Sequence, residues 1–252
     1  MSLSIAVAGK GGSGKTSVTA LIIRYLQKHD MRPILAVDAD PNANLADSLG
    51  FKVSGTVGQI LDIFQKEKID IPPGMTKEAY LEYKLNGVIT EGAGLDLLTM
   101  GRGEGPECYC YPNLMLRKMI DTLSGNYKFV IIDNEAGMEH LSRRTSNNVD
   151  EMLIVSNHSV KGVRAVSQIQ QLIADLKLAV RRQWVIINAV PSTAIDPLVK
   201  EEMDRLGIRP AVTVPWDKEL YRYDLSLKPL LEMPDSSEAV KAIDSLMTYL
   251  FT

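Results

Sequence analysis

Apolar and polar residues follow two periods along this chain, and the periods take turns. Short apolar runs recur at 3–8, 33–38, 95–100, 127–133, 151–156, 183–189 and 211–214, and predict strands. Helical patterns fall between them, near 15–28, 57–67, 76–85, 112–124, 140–148, 161–177, 195–206 and 235–250. Val18, Leu21, Ile22, Tyr25 and Leu26 show the i, i+3, i+4, i+7 spacing of a helix packed on a sheet. Phe129-Val130-Ile131-Ile132 is a continuous apolar run, as a strand covered on both faces requires. Strands alternating with helices predict an α/β fold, a doubly wound and mostly parallel sheet flanked by helices. The Gly/Pro-rich stretch 101–106 reads as a loop within the domain. No repeat or low-complexity tract divides the chain, so residues 1–252 are expected to form one domain.

Composition narrows the function classes. A chain of 252 residues suffices for one large α/β domain, and 45% apolar residues is ordinary for a globular protein. Lys and Arg number 28 against 31 Asp and Glu, a net charge of −3, which argues against a general nucleic-acid or anionic-membrane surface. The last helix carries Glu238, Lys241 and Asp244, a mixed face where a membrane-targeting helix would be basic. No signal peptide and no apolar run of transmembrane length stands out, so the expected location is the cytoplasm, without membrane or nucleic-acid partners. The only cysteines are Cys108 and Cys110, which do not make a disulfide framework.

The chemistry begins at the end of the first strand. Residues 9–16 read Gly-Lys-Gly-Gly-Ser-Gly-Lys-Thr, straight before a helix. Gly9, Gly14, Lys15 and Thr16 meet the G-x-x-x-x-G-K-[ST] pattern of a P-loop. Glycines let successive backbone N–H groups curl around phosphate oxygens, and the helix aims its positive end at the same anion. Gly9, Gly11, Gly12, Ser13, Gly14, Lys15, Thr16 and Ser17 are therefore expected around ATP or ADP. Lys15 is expected on the β- and γ-phosphates, with the Thr16 hydroxyl on Mg²⁺.

Lys10, one residue after the first glycine, marks a subgroup. The loop resembles the deviant Walker A ATPases, which include MinD, ParA, the nitrogenase iron protein and the arsenite-pump ATPase. The resemblance implies a homodimer in which Lys10 reaches the partner chain's nucleotide; the alternative is that it contacts only its own phosphates. Asp38-Ala39-Asp40-Pro41-Asn42 is similar to that family's first switch. By that likeness Asp40 orients the attacking water and Asp38 supports Mg²⁺, the alternative being that Asp40 caps a helix starting near Asn42. Asp133 closes an apolar strand as a Walker B aspartate does, and Gly137 falls where the family senses the γ-phosphate. Glu135 departs from the proline that many MinD and ParA members carry. Asn188 matches the family's adenine-binding asparagine, and Pro215-Trp216 its closure of the base pocket, unless Trp216 is ordinary core.

Glu107-Cys108-Tyr109-Cys110-Tyr111 bears on the task. In extended backbone the two thiols point the same way, and a disulfide at that spacing would be strained. Two thiolates favour Ni²⁺ or Zn²⁺, but a stable site usually needs four ligands, which a two-fold dimer would supply. The alternative is a pair of buried structural cysteines. A C-x-C in this loop, with Asn134-Glu135-Ala136-Gly137-Met138-Glu139-His140 after Asp133, resembles the CooC/AcsF nickel-insertion ATPases. That resemblance implies ATP-driven delivery of nickel to carbon monoxide dehydrogenase or acetyl-CoA synthase as client. His140 is a candidate outer ligand or proton acceptor at the metal; a satisfied histidine at a helix start is the commoner arrangement. The rival readings are a MinD- or ParA-type positioning ATPase and an electron-transfer or scaffold ATPase like the nitrogenase iron protein.

Overall fold

The computed structural model describes residues 2–66, 71–102, 110–135, 148–191 and 194–252, apart from the side chains of 65–66, 78, 110–113 and 148. Among them, seven strands form one parallel sheet: β1 (Leu3–Gly9), β2 (Ile34–Ala39), β3 (Leu95–Thr99), β4 (Phe129–Asn134), β5 (Asn148–Asn157), β6 (Ala179–Val190) and β7 (Val212–Pro215). Their spatial order is β3-β2-β4-β1-β5-β6-β7. The chain moves outward on one side of β1 and then crosses to the other. That reversal opens a crevice at the carboxyl end of β1, where doubly wound sheets take their ligands.

Side chains alternate across the sheet and bury two cores. Ala6, Leu35, Val37, Val130, Ile132 and Ile154 face one layer; Ile5, Val7, Ala36, Ile131, Leu153 and Val155 face the other. The first layer is covered by α3 (Val57–Lys66), α4 (Lys77–Asn86), α5 (Cys110–Leu123), α6 (Val160–Asp175) and α7 (Pro197–Arg205), through residues such as Leu61, Leu85, Leu116, Val163 and Val199. The second is covered by α1 (Lys15–Lys28), α2 (Leu45–Leu49) and α9 (Glu238–Leu250), through Leu21, Ile22, Leu45, Ile243 and Leu246. Apolar residues on both faces of the central strands account for their near-continuous apolar sequence.

The expected α1 spans the residues its pattern marks, 15–28. Three departures have physical reasons. First, α8 (Lys218–Leu225) was not expected: it buries no residue among its own, so it carries no apolar stripe to read. Second, β6 begins at Ala179 rather than 183, because its first residues, Ala179 to Gln183, are largely exposed and polar. Third, β5 begins at Asn148, which the sequence pattern assigned to a helix over 140–148. The rest of that expected helix lies outside the described residues.

Candidate functional site

The carboxyl ends of β1, β2, β4 and β6 bring the expected nucleotide residues together. Gly9 ends β1, and a short turn follows in which the Ser13 N–H donates to the Lys10 carbonyl at 3.1 Å. Gly14 stands immediately before α1 in the left-handed region, φ +87°. An added Cβ there would overlap the Asn188 amide, so both backbone shape and close approach require glycine. No side chain caps α1 and no acid lies in its first turn. Its leading N–H groups and positive dipole end are left to an outside anion. The Ser13 hydroxyl is buried with no hydrogen-bond partner among the described residues. An uncapped helix start and an orphaned buried hydroxyl beside the glycine turn fit a nucleotide's phosphates. Lys10 itself is exposed.

Lys15 is buried, and burial lowers the pKa of its ammonium; the Asp133, Asp40 and Glu135 carboxylates push the other way. Thr16 donates to Asp133 Oδ2 at 2.6 Å. The Thr19 hydroxyl lies 2.9 Å from the Lys15 carbonyl and 3.3 Å from Asp133 Oδ1. Thr19 had no motif to flag it, yet it sits three residues after Thr16, on the same helix face. Asp133 pairs in register with Asp38 across β4 and β2. Both carboxyls are buried and both are shifted up by burial, Asp133 to about 6 and Asp38 to about 7. Thr16 and Lys15 oppose the rise at Asp133; the neighbouring Asp133 charge adds to it at Asp38.

Asp38 rather than Asp40 serves the helix that follows. Its Oδ2 accepts the Leu45 N–H at 2.9 Å, at the first residue of α2, and its Oδ1 accepts the Asp40 N–H at 3.1 Å. The helix starts at Leu45 rather than near Asn42, so Asp40 does not cap it. Asp40 Oδ1 instead accepts from the Asn42 N–H at 2.8 Å and Asn42 Nδ2 at 2.9 Å.

Mg²⁺ is suited to this donor set. It usually takes one or two carboxylates, a hydroxyl and the substrate's own phosphates. Thr16 and Asp133 present a hydroxyl and a carboxylate already in contact, with Asp38 beside them, and both carboxyls are buried, where a bound cation would favour their charged forms. Among the described residues no group of three or more His, Cys, Asp or Glu side chains is arranged to hold a metal ion. Cys108, Gly137 and His140 lie outside the described residues, and of Cys110 only the backbone is described, at the start of α5.

Asn188 lies near the carboxyl end of β6 and donates from Nδ2 to the Ser13 carbonyl at 2.9 Å, tying β6 to the P-loop. Pro215 ends β7, and the Trp216 N–H donates to the Val190 carbonyl at 2.8 Å. Trp216 is 55% exposed, which removes the core reading for that ring. Asp217, unflagged for any role of its own, accepts four donors. Its Oδ1 caps α8 by accepting the N–H groups of Glu219 and Leu220 at 2.7 and 3.1 Å, and its Oδ2 ties in the start of α9 by accepting from Ser237 Oγ and the Ala239 N–H at 2.6 and 3.1 Å. No described helix is long and apolar enough to cross a membrane.

Comparison with known proteins agrees with this geometry. Residues 4–230 match the CobQ/CobB/MinD/ParA nucleotide binding domain. An uncharacterized ATP-binding protein of Methanocaldococcus jannaschii is 41% identical over 244 residues, 96% of each chain. The carbon monoxide dehydrogenase accessory protein CooC of Rhodospirillum rubrum is 31% identical over 234 residues, 88% of this chain and 87% of that one. The fold is similar to that of the septum site-determining protein MinD of Pyrococcus horikoshii, solved with Mg-ADP. The TM-score is 0.71 at 23% identity, over 99% of this chain and 96% of that one.

Proposed function

The chain belongs to the CobQ/CobB/MinD/ParA nucleotide-binding family and is a P-loop ATPase, and from that premise we propose that its ATP cycle drives delivery of nickel to a metalloenzyme. The observation that carries this reading is the 31% identity with CooC along 88% of the chain, joined to the Cys108-Tyr109-Cys110 pair. Two subunits each supply Cys108 and Cys110 to one Ni²⁺ ion as cargo, with Zn²⁺ as its competitor. The client is carbon monoxide dehydrogenase or acetyl-CoA synthase.

In the proposed cycle Lys15 and the P-loop amides bind the β- and γ-phosphates, and Lys10 reaches the nucleotide of the partner subunit. Thr16 and Asp133, with Asp38 nearby, would hold Mg²⁺, which would supply charge neutralisation on the phosphates. Asp40 accepts a hydrogen bond from water and aligns it with the γ-phosphorus. The water oxygen bonds to phosphorus as the bond to the ADP oxygen breaks, and ADP and phosphate are the products. Loss of the γ-phosphate contacts relaxes the segments around Asp38–Asn42 and Asp133–Gly137, and with them the dimer. Asn188, Pro215 and Trp216 are assigned to the adenine side, and His140 to the role of outer ligand or proton acceptor near the cargo.

Ni²⁺ and Zn²⁺ titrations into the reduced protein, with ADP or a non-hydrolysable ATP analogue, test this reading. One metal per dimer, lost in Cys108→Ser and Cys110→Ser, is expected. An ATP-dependent dimer that binds no metal would overturn nickel delivery. It would favour the second reading, a partner-positioning ATPase, which draws support from the presence of MinD and ParA in the same family.

A further inference from the structure

We propose that Arg102 is a positioning residue for ATP hydrolysis, acting on Asp40 through Asn42. This rests on the reading of Asp40 as the residue that orients water. The three residues form a chain of hydrogen bonds across two strand ends. Arg102 Nη2 donates to Asn42 Oδ1 at 2.6 Å, and Asn42 donates twice to Asp40 Oδ1, from its backbone N–H at 2.8 Å and from Nδ2 at 2.9 Å.

The direction of each bond is set by chemistry. A guanidinium can only donate, so it fixes the Asn42 carboxamide with its oxygen toward Arg102 and its NH₂ group toward Asp40. An amide rotated the other way would set two donors together at Arg102 and two acceptors together at Asp40. With two donors on Oδ1, the acceptor capacity left to the carboxylate lies on Oδ2. Arg102 thus reinforces the choice, begun by the Asn42 backbone N–H, of which Asp40 oxygen is left to hold a water molecule.

Both ends of the chain are anchored. Asp40 and Asn42 follow β2, and Arg102 follows β3, its neighbour in the sheet. The Met100 N–H donates to the Asp38 carbonyl at 2.8 Å, and the Gly58 N–H donates to the Met100 carbonyl at 2.8 Å. Gly101 lies against Thr56, which an added Cβ would overlap, so the backbone that presents Arg102 is held on a second side. Arg102 is itself exposed, so its role is not to fill the core. The 60 residues that separate Arg102 from Asn42 leave no local pattern by which the pair could be read.

The test measures steady-state ATP hydrolysis, ATP-analogue affinity and thermal unfolding for Arg102→Ala, Asn42→Ala, the double variant, Arg102→Lys and Asp40→Ala. Arg102→Ala is expected to lower kcat about tenfold, with KM, analogue affinity and unfolding midpoint close to wild type. Adding Arg102→Ala to Asn42→Ala should cost little more than Asn42→Ala alone, since the chain is already broken. Arg102→Lys, which keeps a cationic donor, should recover part of the rate. Wild-type kcat in Arg102→Ala, or fully additive losses in the double variant, would overturn the proposal while an inactive Asp40→Ala left the role of Asp40 standing. Wild-type turnover in Asp40→Ala would instead remove the reading on which the proposal rests.

Discussion

Replacing Gly14 with alanine should cost more than its small size suggests, and the structure gives the amount. Gly14 has φ +87°, a backbone shape that costs a residue with a Cβ about 1–2 kcal/mol. The new methyl would overlap Asn188 Nδ2, so Asn188 must leave its place. Its 2.9 Å bond to the Ser13 carbonyl is then lost, and a buried acceptor left unsatisfied costs about 1–3 kcal/mol more. The sum is roughly 2–5 kcal/mol, a large share of the ~5–15 kcal/mol that holds an ordinary domain together. Gly12 is the internal control. It has φ +74°, but an added Cβ there meets nothing within 4 Å, so Gly12→Ala should show only the backbone strain, about 1–2 kcal/mol. Urea unfolding of the nucleotide-free protein reads the difference. Nucleotide affinity should fall with Gly14→Ala in the same preparations, because the turn that presents the phosphate amides is displaced. In the double variant Gly14→Ala, Asn188→Ala the overlap is gone, and the losses should be less than additive. Equal losses for Gly12→Ala and Gly14→Ala would refute the claim that Asn188 packing, rather than backbone shape alone, demands glycine at 14.

Three further outcomes follow from buried polar groups. Asp217→Ala removes the α8 cap and leaves the Ser237 and Ala239 donors without their acceptor, at a cost of about 2–3 kcal/mol in urea unfolding. Burial tends to raise the Asp217 pKa, but bonds from Ser237, Ala239, Leu220 and Glu219 lower it overall. Its contribution is therefore present above the ordinary carboxylate range and lost as pH falls through the lowered value; acid unfolding no less steep in Asp217→Asn would count against this. Asp38 and Asp133 carry the opposite sign. Their folded values of about 7 and about 6 exceed the ordinary 3.8, so the nucleotide-free fold binds protons that the unfolded chain releases. Their effect should make it less stable as pH rises from about 4 to about 7, and Asp133→Asn should flatten that slope; an unchanged slope in the variant would contradict it. Glu151 is buried and accepts from Arg182 Nε at 2.7 Å and Trp184 Nε1 at 2.6 Å. A glutamine there keeps one acceptor oxygen for two donors, so Glu151→Gln should cost about 1–3 kcal/mol in stability and leave ATP turnover unchanged.

Legibility in the sequence followed burial. The α1 stripe and the Phe129–Ile132 run were readable because both sides of β1, β2 and β4 are covered, leaving strong apolar patterns. Helix α8 buries none of its own residues, and the exposed start of β6 reads Arg181-Arg182-Gln183, so neither left a pattern. The P-loop was legible because phosphate binding constrains adjacent residues. Contacts between distant segments were not: Asp217 to Ser237 and Ala239, Asn188 to Ser13, and Arg102 to Asn42. The helix cap after β2 shows the boundary between the two cases. The carboxylate pair could be read, but whether Asp38 or Asp40 serves α2 depends on where that helix starts, and five-residue α2 is too short to declare its start by periodicity.

The two ends of the sheet treat buried charge differently, and the difference explains how a nucleotide can be felt elsewhere. Near the amino end, the Glu151 charge is paired with Arg182 and its other oxygen accepts from Trp184, both within the fold. At the carboxyl end, Asp38 and Asp133 are raised first by burial; the Lys15 ammonium opposes the rise at Asp133, and the Asp133 charge adds to it at Asp38. Phosphates alone would meet two carboxylates, and Mg²⁺ alone would find few direct ligands; each makes the site hospitable to the other. Asp38 does not merely sense that change. Its two oxygens hold the N–H groups of Asp40 and Leu45, so any change in its charge alters the grip on the segment that carries Asp40 and opens α2. Arg102 holds the same segment from the β3 side through Asn42. Charge at the phosphates and the stretch leading from β3 thus act on one short piece of chain. A client that perturbs residues after β3 would therefore be expected to alter ATP turnover before it touches the nucleotide.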